Sequence, residues 1–423
     1  MKSFDHKSAK RILCFFFILI FHLNNLPELY SQYSGIDDDI ANHRKGELTI
    51  NAKPGDQVEV EQMSHEFWFG AAISNGLAGG SMAENDLRQY KEKFLENFNA
   101  AVTENAVKWG NMEPRKGEVN YKVVDEILAW TEENNIPLRG HNLFWGISKF
   151  VQPWVKDLDD PELKQTLQNR AETVTARYRG RFTEYDLNNE MIHGNYYEDR
   201  IGPEITKLMA QWALNGDPDA KLFLNEYDVL TGNRLADYMT LIRSLQKQGV
   251  TIAGIGAQGH LHGETFDRNQ LRIALDSLAT FNLPIRVTEF NMPGQRSKYY
   301  NDKNMEMTPQ EEEQKAKELV DYYKICFAHP AVEGILMWGF WEGANWIRVS
   351  SLYKRDWSPT PAAEAYQNLI FKEWWSNEKG TIGSNGNFSI PAFFGKYRVT
   401  VNGNSKEIDL TKEKGKANLD FRK

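Results

Sequence analysis

The stretch TEYDLNNEMIHG, Thr183 to Gly194, runs from strand-like residues into two asparagines, Glu190 and, four residues on, a glycine. Asparagine and glycine announce a turn, so the carboxylate stands where a strand gives way to a loop. The same plan recurs along the chain. FWFGAAI, NAAVTEN, IPLRGHN, FTEYDLNN, KLFLNEYD, IAGIGAQ, PIRVTEF and GILMWGF are short apolar runs that read as strands. Longer segments of helical period separate them, among them VVDEILAWTEEN, LADYMTLIRSLQKQG and EEEQKAKELVDYYKICFA. Strand and helix alternating eight times is the plan of an α/β chain folded as a (β/α)8 TIM barrel. A doubly wound sheet fits less well, because no glycine-rich phosphate turn follows the first strand.

The barrel accounts for residues 65–373. Before it, GELTINAKPGDQVEVEQM (46–63) alternates polar and apolar about a Pro-Gly-Asp turn and predicts a β-hairpin within an N-terminal segment, 32–64. After EWWSNEKG, residues 380–423 carry Asn-Gly at 385–386 and 402–403 and alternating stretches such as KYRVTVNG, the marks of a small β appendage. Each flank is too small for a core of its own. A barrel's first strand and last helix lie side by side, so the flanks are expected to join as one β-sandwich-like unit. Val58, Val60, Phe388, Tyr397 and Val399 would supply its apolar faces, and FFGKYRVTV a central strand.

Of the 423 residues 41% are hydrophobic, ample for a packed core, and the formal charge of −8 lacks the basic stripe of a nucleic-acid binder. Lys2, Lys7, Lys10 and Arg11 precede the apolar run ILCFFFILIFHL, with a more polar stretch and Ser31 beyond. That is a secretory signal pattern over residues 1–31, and its apolar run is well short of the ~20 residues that span a bilayer. A secreted or periplasmic chain with no membrane anchor after cleavage is expected. Cys14 would leave with the signal, so Cys326 would have no partner for an internal disulfide.

Glu190 has a counterpart. PIRVTEF carries Glu289 next to its last residue, near the C-terminal end of the seventh strand, as Glu190 follows the fourth. A lone glutamate is ordinarily a solvated surface charge. Two at matched strand ends of a closed barrel face one mouth, which is what hydrolysis of a glycosidic bond requires: one carboxylic acid and one carboxylate.

Six motifs then occur in order, each at or just beyond a predicted strand end: VTENAVKW, LRGHNLFW, DLNNE, GAQGH, VTEF and WGFWEGANW. Together they resemble glycoside hydrolase family 10, chiefly endo-β-1,4-xylanases, over about residues 65 to 373. The resemblance implies a retaining mechanism with Glu190 as acid/base and Glu289 as nucleophile. It implies that Asn189 holds the 2-hydroxyl of the sugar being cleaved, and that Glu104, Asn105 and Lys108 grip sugars on the non-reducing side. By the same resemblance His141 and Gln258 line the cleavage subsite, His260 orients Glu289, and Trp145, Trp338 and Trp346 wall the groove. The implied partner is the polysaccharide xylan, acted on by a monomer that needs no cofactor and no metal.

The chain departs from the family pattern at Gly146, where histidine is common, at Glu342, where aspartate is common, and at Tyr185, where tryptophan is common. Two metal-like spacings are weaker signals. His260 and His262 alternate on one face of a strand, yet no third ligand presents itself. Glu190 and His193 have a Glu-x-x-His spacing, but a di-iron site of that type needs four facing helices. A catalytically silent xylan-binding protein on the same barrel is the rival reading, and intact Glu190 and Glu289 argue against it. Another β-linked glycan as substrate stays open, since telling xylose from glucose is a matter of pocket shape.

Overall fold

The computed structural model describes residues 35–422, so the expected signal segment lies outside the described residues. The described chain opens with a helix, Ile36–Arg44, where the sequence had suggested only a β arm. Three aspartates in its first turn and His43 and Arg44 in its last complement the helix dipole, and Ile36, Ile40 and Arg44 form one buried face. Arg44 ties this helix to the barrel by donating to the carbonyls of Phe327, His329 and Val332.

Strands β1 (Lys45–Asn51) and β2 (Gln57–His65) follow, then the barrel. Its strands are β3 (Trp68–Ile73), β4 (Ala100–Thr103), β5 (Leu138–Gly140), β6 (Phe144–Trp145), β7 (Glu184–Asn189), β8 (Leu222–Glu226), β9 (Gly254–Ala257), β10 (Ile285–Phe290) and β11 (Val332–Met337). All are parallel, β5 pairs with β7, and β11 pairs back onto β3, so eight positions close a circle. The third position is interrupted: β5 stops at Gly140 and the two-residue β6 resumes beside β7, with Phe144 opposite Asn188. Gly140 has no alternative there, because a Cβ would sit 2.6 Å from the Tyr185 ring.

Helices cover the outside, and the local chemistry that starts them is visible. Asp159, Asp267, Thr308 and Thr360 cap four of them, Thr308 in a reciprocal capping box with Glu311, and three of the four carry proline in the first turn. The apolar core between strands and helices includes Phe69, Phe94, Leu167, Ile255, Val287 and Ile335, all buried.

The remaining strands are β12 (Asn377–Thr381), β13 (Asn387–Phe393), β14 (Gly395–Val401), β15 (Asn404–Leu410) and β16 (Lys416–Asp420). They combine with β1 and β2 into two sheets, ordered β13-β1-β16 and β12-β2-β14-β15. The flanks therefore do join as a sandwich, with β14 pairing β2 along its length. Val58, Val60, Tyr397 and Val399 are buried in its core together with Leu48, Ile50, Phe394 and Leu410, and Phe388 packs against it half-buried. The expected 46–63 hairpin is corrected: β1 and β2 belong to different sheets, and the Pro54-Gly55 turn carries the chain across the sandwich. The Asn402-Gly403 turn does join a true hairpin, β14 to β15, with both residues at positive φ. Where sandwich and barrel meet, Arg44, Glu66, Trp68, Arg286, Phe394 and Lys412 border a cavity of about 410 Å³. It lies at the N-terminal ends of the barrel strands, away from Glu190 and Glu289.

Candidate active site

Glu190 is the first residue after β7 and sits in the left-handed region, φ 60° and ψ 40°. Its N–H donates to the Asn225 carbonyl at 2.9 Å, which ties the turn to β8. Its buried carboxylate accepts from Trp145 Nε1 at 2.9 Å and from Gln258 Nε2 at 3.0 Å. Burial, and next the charge of Glu289, push its pKa above the usual carboxylate range, against those two hydrogen bonds.

Glu289 lies on β10 in the opposite environment. Asn225 Nδ2 donates to Oε1 at 2.8 Å, and His260 Nε2 lies 3.0 Å from Oε2. His141 Nδ1 is 4.0 Å from Oε1. Burial raises its pKa, but His141, His260 and Lys108 outweigh burial together and hold the carboxyl at about 2. One carboxyl thus favours its proton and the other its charge, in one site.

The groups implied to bind sugar surround this pair. Lys108 Nζ donates to Asn105 Oδ1 at 2.9 Å and stands 4.9 Å from the Trp145 ring centre and 5.6 Å from that of Trp338. Burial lowers its pKa, while Glu289, Glu104 and Glu190 act to raise it, so it feels all three carboxylates. Burial raises Glu104, with Lys108 opposing. Asn189 accepts from Asn225 through Oδ1 at 2.9 Å, and its buried Nδ2 has no hydrogen-bond partner within the protein. The Trp338 ring stands edge-on to His141 at 5.1 Å, and the Trp346 ring lies 5.1 Å from that of His260. Trp346 Nε1 is fixed by Asn291 Oδ1 at 2.9 Å. All twelve residues singled out in the sequence therefore stand at or beyond the C-terminal ends of β4 to β11.

Several supporting residues were not singled out. Asn225 bridges Asn189 and Glu289 and is itself oriented by Thr288, whose hydroxyl donates to its Oδ1 at 2.6 Å. The signal for it was an asparagine at a strand end, in KLFLNEYD. Asp186 holds His141 Nδ1 at 2.8 Å. Beneath them Arg139 donates to Asp186 and Glu184, and Arg286 donates to Glu184 at 3.1 and 3.2 Å, all within the buried barrel interior. Charges at alternate positions of an apolar strand, Glu184 and Asp186, were the available signal.

The departures from pattern find local causes. A Cβ on Gly146 would meet Asn195 Oδ1 at 3.2 Å and Asn195 Cα at 3.3 Å, so the loop after Gly194 fills the side-chain space. Glu342 accepts from Arg348 and from the Arg355 N–H, both at 3.1 Å. Tyr185 is fully buried against Phe182 and Gly140, below the site rather than in it. His260 and His262 take separate partners: His262 pairs with Asp228, not with Glu289. His193 stacks on Tyr227 at 3.5 Å.

Known proteins share this architecture. Xylanase 10B from Thermotoga maritima superposes with a TM-score of 0.64 at 24% identity, covering 73% of this chain and 96% of that one. In sequence the chain is 35% identical over 81% of its length to anti-sigma-I factor RsgI6 of Acetivibrio thermocellus. It is 34% identical over 82% of its length to endo-1,4-beta-xylanase 2 of Arabidopsis thaliana. It spans only 42% and 31% of those two relatives. The model of glycosyl hydrolase family 10 matches residues 60–369, and on that match the chain belongs to glycosyl hydrolase family 10.

Proposed function

We propose that the chain is a retaining endo-β-1,4-xylanase that cleaves internal xylosidic bonds of xylan by double displacement. The observation that carries this is the opposed setting of the two buried carboxyls: Glu190, held by Trp145 and Gln258, has its pKa raised by burial and then by Glu289, while Glu289, held by Asn225 and His260, has its pKa lowered to about 2. Glu289 attacks the anomeric carbon while Glu190 gives its proton to the leaving oxygen. Attack converts Glu289 to a neutral ester and removes the charge that helped raise Glu190. Glu190, having lost its proton, then takes one from water, which displaces the sugar from Glu289. Asn189 Nδ2 is the free donor for the 2-hydroxyl, and Trp338 and Trp346 supply flat walls for the ring.

Several relatives named as endo-1,4-beta-xylanases support xylan as the substrate. The basic and apolar N-terminal residues support export, with the mature chain acting outside the cytoplasm as a monomer. An NMR time course on xylo-oligosaccharides, run beside cello-oligosaccharides, tests the reading. The β-anomer should appear first and the xylose series should be preferred. First appearance of the α-anomer rejects retention, and preference for the glucose series rejects the substrate.

A further inference from the structure

The cavity between sandwich and barrel, about 410 Å³, has the size of a whole-ligand site, and junctions between structural units are where such sites concentrate. Every layer contributes to it: Arg44 from the first helix, Glu66 and Trp68 from the entry to β3, Glu333 from β11, and Phe394 and Lys412 from the turns around β14 and β15.

Four of its charges are poorly matched within the protein. Arg44 is buried; its Nε and Nη2 donate to the carbonyls of Phe327, His329 and Val332, while Nη1 donates to no group among the described residues. Lys412 Nζ donates to the Pro330 carbonyl at 2.7 Å. Glu66 accepts the Lys412 N–H through Oε2 at 2.7 Å, which leaves Oε1, and the Glu333 carboxylate has no donor among the described residues. Arg44, Lys412 and Glu66 all feel the charge of Glu333 and of one another, yet no two of the four form an ion pair. Burial holds the Arg44 pKa down at about 10 and lowers that of Lys412. Buried charge is ordinarily paired, so donors and acceptors alike are left facing one space.

The sum of these charges selects the ligand. Two cations oppose two carboxylates, Arg286 and Glu184 pair with each other at 3.1 Å, and His65, held at about 4 by burial, is neutral. Exposed Lys221 is the one surplus charge of the lining. An anion would gain from Arg44 and Lys412 and lose to Glu66 and Glu333. A hydroxyl accepts from the first pair and donates to the second. Trp68 and Phe394 add apolar faces: neither ring stacks on another aromatic among the described residues, and Arg286 covers one side of Trp68 at 4.0 Å. Several hydroxyls on a ring with an apolar face describe a sugar.

We propose that this cavity is a second carbohydrate site, separate from the catalytic groove, that binds a short neutral saccharide. The hydroxyls pair with Arg44, Lys412, Glu66 and Glu333, and a ring face lies on Trp68 or Phe394. A bound sugar bridges sandwich and barrel and stabilises the joint between them. The site stands on its own chemistry; that the groove releases sugars of this class rests on the xylanase reading.

The test titrates xylobiose into the Glu289→Gln chain, which leaves the sugar uncut, and follows the indole N–H signals of Trp68 and Trp338 by NMR. Trp68 reports the cavity and Trp338 the groove. The Trp68 signal should shift along a saturating isotherm of its own. Adding Lys412→Met should weaken that isotherm about tenfold, the loss of one hydrogen bond from a charged group, and leave the Trp338 isotherm within about twofold. Glu66→Gln, at an exposed position, should weaken it in the same direction and serves if Lys412→Met fails to fold. No Trp68 shift up to the solubility of the sugar, equal losses on both isotherms, or a Trp68 response to glucuronate or glycine but not to xylobiose would each overturn the proposal. A silent Trp338 beside a responding Trp68 supports the cavity site and counts against the xylanase reading alone.

Discussion

Glu190 occupies backbone space that costs a non-glycine residue on the order of 1–3 kcal/mol, and the protein holds it there with contacts from three strands. Its own N–H bonds to β8, while Trp145 of β6 and Gln258 beyond β9 grip the carboxylate. Because the Glu289 charge is the second contributor to the raised pKa of Glu190, Glu289→Gln should lower that pKa toward its ordinary value. Burial remains, so the shift should be partial. A carbon-detected NMR titration of the Glu190 carboxyl in both proteins measures it, and an unchanged midpoint would show that the two groups do not communicate. The same signs set the working range. Glu289 gains its proton only as pH falls toward about 2, and Glu190 loses its own only above the usual carboxylate range. The pair itself was legible in the sequence because each glutamate lay at a predicted strand end. The left-handed turn at Glu190 was not, since nothing in Asn-Asn-Glu demands positive φ.

At the scale of elements, the layer beneath the site decides how firmly it is held. Arg139 of β5 lies between Glu184 and Asp186 of β7, and Asp186 in turn fixes His141. Arg139→Met should leave two buried carboxylates short of their partner and destabilise the fold by about 3–5 kcal/mol. Denaturant unfolding checks the figure, and a loss below about 1 kcal/mol would show that Arg286 and solvent compensate. The eight barrel strands were readable because buried parallel strands are short apolar runs. The break between β5 and β6 was not, because it depends on Leu143 bonding to the Asp186 carbonyl, a partner distant in sequence. For the same reason Asn225 passed as a strand residue: its bridging role depends on β7 beside β8 and on Glu289 of β10, two strands away, reaching the same barrel end.

For the whole molecule, the instructive case is the stretch 46–63. Leu48 and Ile50 alternate with polar residues, as Val58 and Val60 do, and that pattern is identical for a hairpin in one sheet and for two strands facing each other across a core. The alternation foretold a sandwich. Which strand pairs with which was settled by β13 and β14, more than three hundred residues away. Ending the chain after Thr381 removes both neighbours of β1 and leaves β2 only β12. Limited proteolysis should then cut within 45–65 and the melting temperature should fall, while kcat/KM on a short oligosaccharide stays within about twofold below the new transition, since the groove lies at the other end of the barrel. An equally protected β1–β2 segment in the shortened chain would refute this. The interlocking also fixes an order in time. A ribosome adding about 5–20 residues per second makes β1 and β2 first and β13 to β16 last, roughly a quarter of a minute to a minute later. Throughout that interval two apolar strands wait without the neighbours that will cover them, and the barrel beside them cannot close until β11 is made. Until β13 to β16 arrive, β1 and β2 therefore present unpaired strand edges and an uncovered apolar face.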